Sequence, residues 1–307
     1  MHALGPGFTP GPANLGKGQD MPATGLAAPI IFAALSFPLA LAAIPDPAGE
    51  VPRAATIAIA GAAIDLPLPG QYLQAGRVVA APRERATLPA FEIMAHQVSR
   101  DEYGRCVTAG ACAPALAGAG PADAPVTGVS FLDAVSYAAW YSRVLGETWR
   151  LPSATETAVA AAERFVGDGD AIPDDPANPA ARWLRAYRAE ARADRAPDPL
   201  PKPRGHYGTN SLGVADFGGN VWEWTSTCYA RVTLGLDGTP AQTTENCGVR
   251  VLEGQHRAYM TEFIRDPQGG GCAVGTPPDN LGFRLVREAP AFPAVAWLKR
   301  RLAWLAA

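Results

Sequence analysis

The segment 210–224, NSLGVADFGGNVWEW, constrains the fold of this chain more than any other. Its apolar residues follow neither the 3.6-residue period of a helix nor the two-residue period of a strand. Gly213, Gly218 and Gly219 interrupt them, and two tryptophans stand one residue apart at the end. This pattern predicts a rigid, irregular loop that its aromatic residues anchor in a core.

Polar side chains in this loop allow two interpretations. Asn220 and Glu223 place oxygen atoms beside glycine backbone, as a hard cation such as calcium requires. Alternatively, these groups bond to nearby backbone, and the loop is purely structural.

Two further segments resemble those of a known family, in the same chain order. RLPSATE occupies residues 150–156, and NLGFRLV occupies residues 280–286. With GNVWEW between them, they resemble the formylglycine-generating enzymes, also called the sulfatase-modifying-factor family, over roughly residues 70–287. The resemblance implies an α+β fold similar to that of a C-type lectin, rich in loops, with a small twisted antiparallel sheet and a few helices. It does not fix the activity, because the family contains catalysts as well as binding and accessory proteins.

The resemblance also implies a structural calcium ion. In the family the GN-x-WE segment supplies calcium ligands, and Asn220 and Glu223 match them in type and spacing, with the Val221 carbonyl between. Calcium at these three residues is therefore the predicted cofactor.

The copper site of the family's catalysts is altered here. Those enzymes bind copper through two cysteines ahead of the final GFR motif, and soft thiolates suit Cu(I). Residues 251–266 contain no cysteine, and an ungapped alignment puts Tyr259 and Ile264 in the two places. Formylglycine generation by the copper route is therefore not expected, and the ligand pattern does not support copper or iron.

A rearranged site is the alternative. Because histidine serves as acid, base or metal ligand near neutral pH, His256, Arg257, Tyr259 and Cys272 are candidate catalytic residues of a metal- and oxygen-dependent oxidase, with His206 as a further ligand. Salt bridges within a loop-rich fold are the competing interpretation.

The N-terminal segment indicates export. Residues 26–44 are apolar and uncharged and end in small residues, which favours a signal peptide over a membrane anchor. We divide the chain into a signal peptide or anchor at 1–44, an N-terminal extension at 45–69, a formylglycine-generating-enzyme-like domain at 70–288 and an amphipathic tail at 289–307. The net charge of −3 argues against a nucleic-acid partner.

The cysteines agree with an oxidising compartment such as the periplasm. Local pairing of Cys106 with Cys112 and of Cys228 with Cys247 is the simplest connectivity, although other pairings are open. Cys272 is then left without a partner.

Capping chemistry predicts three helix starts. Ser99, Ser130 and Ser153 each precede an acidic residue by three positions, which is the pattern of a capping box. The first helix should end at Gly110, and the third should run toward Gly167. Glu156, although it lies in a family motif, therefore has a sufficient structural role as a capping residue.

Residues 247–266 read CGVRVLEGQHRAYMTEFIRD, and residues 269–288 read GGGCAVGTPPDNLGFRLVRE. These segments resemble the NirV-type branch of the family, which is associated with denitrification and copper nitrite reductase. Together these interpretations predict an exported accessory or maturation protein without formylglycine-generating activity. It would bind a protein partner or small ligand in the cell envelope through the loop surface around residues 253–272, with membrane contact through the N-terminal segment as a further expectation.

Overall fold

A computed structural model describes residues 51–116, 118, 120–167, 184, 200–267 and 278–288. The predicted signal segment, Cys272 and the C-terminal tail lie outside the described residues. The elements are β1 (Thr56–Ile59), β2 (Ala62–Pro67), β3 (Gln71–Gln74), β4 (Arg77–Val79), β5 (Arg83–Leu88), β6 (Phe91–Met94), α1 (Arg100–Thr108), α2 (Phe131–Leu145), β7 (Trp149–Arg150), α3 (Ala154–Ala161), a 3₁₀ turn (Ala162–Arg164), β8 (Trp222–Leu234), β9 (Pro240–Glu253), β10 (Ala258–Thr261), β11 (Leu281–Gly282) and β12 (Val286–Arg287).

Helices α1, α2 and α3 each begin where the sequence predicts a helix start. Ser99, Ser130 and Ser153 are N-caps, and each forms a reciprocal capping box with the acidic residue at the third helical position. The third helix is shorter than expected, because the α-helix ends at Ala161 and a 3₁₀ turn follows. Ala162 has a φ of +50°, a backbone conformation that does not continue a right-handed helix.

The strands form three sheets. The first has the order β1-β6-β12-β7, the second has the order β10-β9-β8-β3-β4 with β11 also on β8, and the third pairs β2 with β5. The second sheet is mixed rather than purely antiparallel, because β3 and β11 both run parallel to β8. The α+β class and the loop-rich build are as predicted.

Segment 45–69, which the sequence analysis sets apart as an extension, contributes directly to the sheets. Its strand β1 pairs with β6 from Thr56 opposite Met94 to Ile59 opposite Phe91. β1 thus forms the edge of the first sheet.

Aromatic residues make up much of the largest core. Tyr137 of α2 stacks on Tyr103 of α1 and on Tyr141, and its ring meets Phe283 edge-on. The buried stripe predicted on α2, at Ala134, Tyr137, Ala138 and Tyr141, is buried in the structure. Burial of rings this large makes the contact between the helices and the 281–286 segment a main source of stability.

Two disulfides link cysteines that are close in sequence. Cys106 bonds to Cys112, and Cys228 bonds to Cys247. The second bond crosses the long hairpin that β8 and β9 form. Within the described ranges, no helix is long and apolar enough to cross a membrane.

Candidate functional site

The signature loop holds its shape through internal hydrogen bonds. The Asn210 side chain accepts from the amides of Leu212 and Val214 and donates to the Ala160 carbonyl. Gly219 tolerates no side chain, because an added Cβ would lie 2.4 Å from the Tyr207 ring. The loop is therefore rigid, as its irregular pattern predicts.

A buried ion pair anchors the end of this loop. Glu223 receives two hydrogen bonds from Arg284, at 2.6 Å from Nε to Oε2 and at 2.7 Å from Nη2 to Oε1. Gln97 Nε2 donates to the same Oε1 at 2.8 Å. All three side chains are buried. Since Arg284 belongs to the GFR motif and Glu223 to GNVWEW, the two motifs recognised in the sequence meet as one charge pair.

Arg284 also ties the loop to the first sheet. Its Nη2 donates to the Ala215 carbonyl at 2.9 Å, and its Nη1 lies 3.2 Å and 3.3 Å from the carbonyls of Met94 and Ala95. One side chain thus joins the signature loop and the end of β6.

The predicted calcium ligands are engaged in other bonds. A carboxylate offers about four lone-pair positions, and the hydrogen bonds from Arg284 and Gln97 occupy three of those on Glu223. Asn220 Oδ1 accepts from the Lys202 amide, and its Nδ2 donates to the Lys202 carbonyl, both at 2.8 Å. Asn220 thus clamps the incoming chain.

With their oxygen atoms engaged in this way, these side chains do not fit a calcium ion held by Asn220, Val221 and Glu223. A calcium-binding carboxylate normally faces the ion with one or both oxygens free of a competing cation. The cation that faces Glu223 is instead the guanidinium of Arg284. The polar groups of the loop follow the structural interpretation instead.

Asp216 is a second buried acid in the loop, and the sequence analysis did not single it out. Its carboxylate accepts from the amides of Gly205 at 2.6 Å and Tyr207 at 2.8 Å. Burial raises the pKa of Asp216, but neighbouring His96 and the two amides outweigh burial, so that the pKa lies below its ordinary value. His96 Nδ1 is 3.8 Å from Asp216 Oδ2, which is too far for a hydrogen bond. The two backbone amides are therefore the main cause of the lowered pKa.

The altered segment before the GFR motif is held by its own partners. Arg257 is buried and pairs with Glu253 at 2.7 Å from Nε to Oε1. His256 Nδ1 is 2.9 Å from the Arg257 carbonyl, and its ring packs edge-on against Trp222. These residues form salt bridges and ring contacts, as the competing interpretation predicts.

Tyr259 occupies one of the two positions where the family's catalysts carry copper thiols. Its hydroxyl accepts from the Gly70 amide at 2.8 Å, and its ring packs with Ala154, Val251 and Tyr229. Ile264, at the other position, is partly buried against the main core. Neither side chain supplies the soft thiolate that suits Cu(I).

The structure does not bring the candidate catalytic residues into one described site. Cys272 lies outside the described residues. His206 is exposed, and its ring contacts Tyr207. Among the described residues, one group of acidic, histidine and cysteine side chains is close enough to share a metal, formed by Cys228, Glu245 and Cys247. Its two cysteines are joined in a disulfide, so they offer no thiolates.

Some residues of this network carried no readable signal in the sequence. Gln97 lies far from the signature loop along the chain, yet it bonds to Glu223. Arg204 lies just before the loop, yet it bonds to the distant Glu102 and to the Gln97 carbonyl. Only a long-range contact identifies them. Asp216 had a weak signal, as the acidic residue between Gly213 and Gly218 in an irregular loop.

The match to a family model decides the relationship. The model for the sulfatase-modifying factor enzyme 1-like domain matches residues 47–289, and it includes the segment that carries β1 and β2. The chain belongs to the sulfatase-modifying-factor family. The match also covers the Glu223–Arg284 pair.

Two curated relatives place this member beside both active and inactive enzymes. The inactive C-alpha-formylglycine-generating enzyme 2 of Mus musculus is 28% identical over 54% of this chain and 50% of the relative. The formylglycine-generating enzyme of Streptomyces coelicolor is 28% identical over 54% of this chain and 53% of the relative. The chain thus matches about half the length of each.

The solved structures to which this chain is similar include that of PvdO from Pseudomonas aeruginosa. The TM-score is 0.49 at 18% identity, and the match covers 76% of this chain and 94% of that chain.

Proposed function

We propose that this member of the sulfatase-modifying-factor family is an exported accessory or maturation protein that binds a partner without generating formylglycine. The observation that carries the proposal is the packing at the altered copper positions. Tyr259 is fixed by the Gly70 amide, and Ile264 packs against the core. Within the described ranges, every cysteine is in a disulfide. The mouse relative, named as inactive, supports a non-catalytic role within the family.

Export is part of the proposal. Two disulfides suit an oxidising compartment, and the apolar segment 26–44 has the features of a signal peptide. The periplasm is the compartment that we propose. The denitrification link rests on the resemblance of the altered segments to the NirV-type branch, and the partner that we propose is accordingly a protein of nitrite reduction.

The surface that supports partner binding lies within the altered segment, residues 251–266. Phe263 is 66% exposed, and it follows β10 between the half-buried Glu262 and Ile264. Exposed aromatic residues framed by charged groups often anchor protein partners. Arg265 is fixed by Asp133 at 2.6 Å, which keeps this turn in place for docking.

Enzyme activity is tested first. The full chain, purified from an oxidising compartment and supplied with Cu(I), is incubated with a cysteine-containing sulfatase peptide under oxygen. We expect neither formylglycine formation in the peptide, by mass spectrometry, nor stoichiometric copper on the protein. Formylglycine, or copper or iron that is lost with His256→Ala, would instead establish the rearranged oxidase.

Partner binding is tested separately. Copper nitrite reductase from the same host is titrated against the chain and against Phe263→Ala, with Leu236→Ala as the matched control, because Leu236 is 94% exposed at the far end of the hairpin. We expect the Phe263 variant alone to lose at least about tenfold in affinity, as an aromatic anchor should. If the reductase does not bind, or if both variants bind like the parent chain, the proposed partner or surface is wrong.

A further inference from the structure

The two disulfides of this chain lie in very different surroundings. Cys106 and Cys112 are both buried. In the second pair Cys247 is exposed and Cys228 is half-buried. An external thiol can therefore reach Cys247, whereas the first disulfide is shielded.

The hairpin is irregular at this second disulfide. Cys228 lies opposite Arg250, while the next residue of β8, Tyr229, lies opposite Asn246. Residues 247–249 of β9 therefore have no partners on β8 between these two pairs. A bulge of this kind re-aims side chains and is frequent beside functional sites, and here it contains the exposed cysteine.

A cation contacts one sulfur of the pair. Arg250 Nη1 lies 3.0 Å from Cys228 Sγ, and the same nitrogen donates to the Ser226 carbonyl at 2.9 Å. The guanidinium lies over the Phe131 ring at 4.1 Å from its centre, and the side chain is only 16% exposed. A cation held in this way stabilises a thiolate on Cys228 relative to the thiol.

Two carboxylates also face this site. Glu262 Oε2 is 3.6 Å from Arg250 Nη2 and offsets part of its charge. Glu245 has a carboxylate oxygen within 4.8 Å of both sulfurs, so it disfavours a thiolate on either one. The asymmetry between the sulfurs therefore comes from Arg250, which contacts Cys228.

We propose that Cys228–Cys247 is a thiol–disulfide exchange site that reacts with a dithiol on another polypeptide. A thiolate of the dithiol attacks Cys247 Sγ and forms a mixed disulfide. The Cys228–Cys247 bond breaks, and its electron pair leaves on Cys228 as a thiolate beside Arg250. The second thiol of the substrate loses its proton and attacks the substrate sulfur that is bonded to Cys247. The bond to Cys247 breaks, and Cys247 leaves as a thiolate. The substrate is oxidised to a disulfide by two electrons, and this chain is reduced by two.

This activity requires neither the proposed partner at Phe263 nor a metal, although Glu262, beside Phe263, lies 3.6 Å from Arg250. A leaving thiolate that a neighbouring cation stabilises departs faster in such exchange. The role of Arg250 is therefore electrostatic, and lysine should replace it in part.

The test uses the oxidised full chain and reduced glutathione as the thiol probe. The reaction is quenched with acid at intervals, free thiols are alkylated, and each cysteine peptide is quantified by mass spectrometry. We expect Cys228–Cys247 to be reduced at least about tenfold faster than Cys106–Cys112 in the same molecule, with the glutathione adduct on Cys247. Equal rates, or an adduct mainly on Cys228, would overturn the proposal without need of any variant.

Variants then test the role of the cation. Arg250→Gln should slow reduction of Cys228–Cys247 by about tenfold, and Arg250→Lys should slow it less, because a neighbouring charge of this kind acts strongly at contact distance. Arg231→Gln is the matched control, since Arg231 is an exposed arginine on β8. Thermal unfolding checks that each variant is folded. A rate for Arg250→Gln equal to that of Arg231→Gln would show that Arg250 does not assist the exchange.

Discussion

The buried pair of Glu223 and Arg284 provides the sharpest test of how this fold is stabilised. Arg284→Met removes the cation and leaves a buried carboxylate with Gln97 as its remaining side-chain donor. It also removes donors from the three carbonyls that the guanidinium joins. Breaking a buried pair from one side typically costs about 3–5 kcal/mol. Because domains are stable by about 5–15 kcal/mol, this single change should remove a large fraction of the free energy of unfolding.

The matched control is Arg287→Met, three residues further along. Arg287 also pairs with two carboxylates, those of Glu92 and Glu147, but its side chain is 28% exposed. Pairs in contact with water contribute about 0–1 kcal/mol. Urea unfolding at neutral pH, followed by tryptophan fluorescence, should therefore separate the two variants by at least about 2 kcal/mol.

A double-mutant cycle checks the cause. Glu223→Gln keeps the shape of the side chain and removes its charge, so Arg284→Met/Glu223→Gln no longer buries an unpaired carboxylate. We expect the double variant to be more stable than the sum of the single effects by about 2 kcal/mol. Additive effects, or an Arg284→Met cost no larger than that of Arg287→Met, would refute the argument that this pair holds the loop to the sheet.

Three other perturbations have defined outcomes. The folded-state pKa of Asp216 is lowered. Its ionised carboxylate therefore contributes to the free energy of unfolding above the unfolded-state pKa of about 3.9, and this contribution is lost as pH falls through the folded-state pKa. Asp216→Asn should therefore cost about 2 kcal/mol in urea unfolding at pH 7, with a smaller cost toward pH 2; a cost independent of pH would contradict this. Excess chelator should leave the melting temperature unchanged, because Arg284 rather than a metal faces Glu223; a lower melting temperature would show a bound cation and restore the predicted calcium site. Tyr259→Phe should cost about 1 kcal/mol by freeing the Gly70 amide, and an unchanged urea midpoint would show that this bond contributes nothing.

The helices were predictable because their start signals are local. Ser130 and Asp133 are three residues apart, and their capping box depends only on those two residues and the backbone between them. The cysteine pairs are also close in sequence, at separations of 6 and 19 residues. The motif pattern likewise identified the fold class.

The pairing of distant segments was not predictable. Nothing in GNVWEW indicates that Glu223 meets Arg284, 61 residues away, rather than a calcium ion. Both are chemically sound partners for a buried carboxylate, and the choice depends on the path of the intervening chain. The same holds for Gln97, 126 residues from Glu223, and for the parallel strands on β8.

The place of β12 in the first sheet has a consequence for biosynthesis. β12 comes last along the chain among the described strands, yet it lies between β6 and β7 and pairs with both. While the ribosome has not yet released residues 286–287, β6 and β7 cannot be joined, and the aromatic core lacks Phe283. Strands left open in this way are prone to aggregate in an incomplete chain. Productive folding of this domain must therefore wait until synthesis has passed β12, and the segment from β6 to β12 needs protection until then.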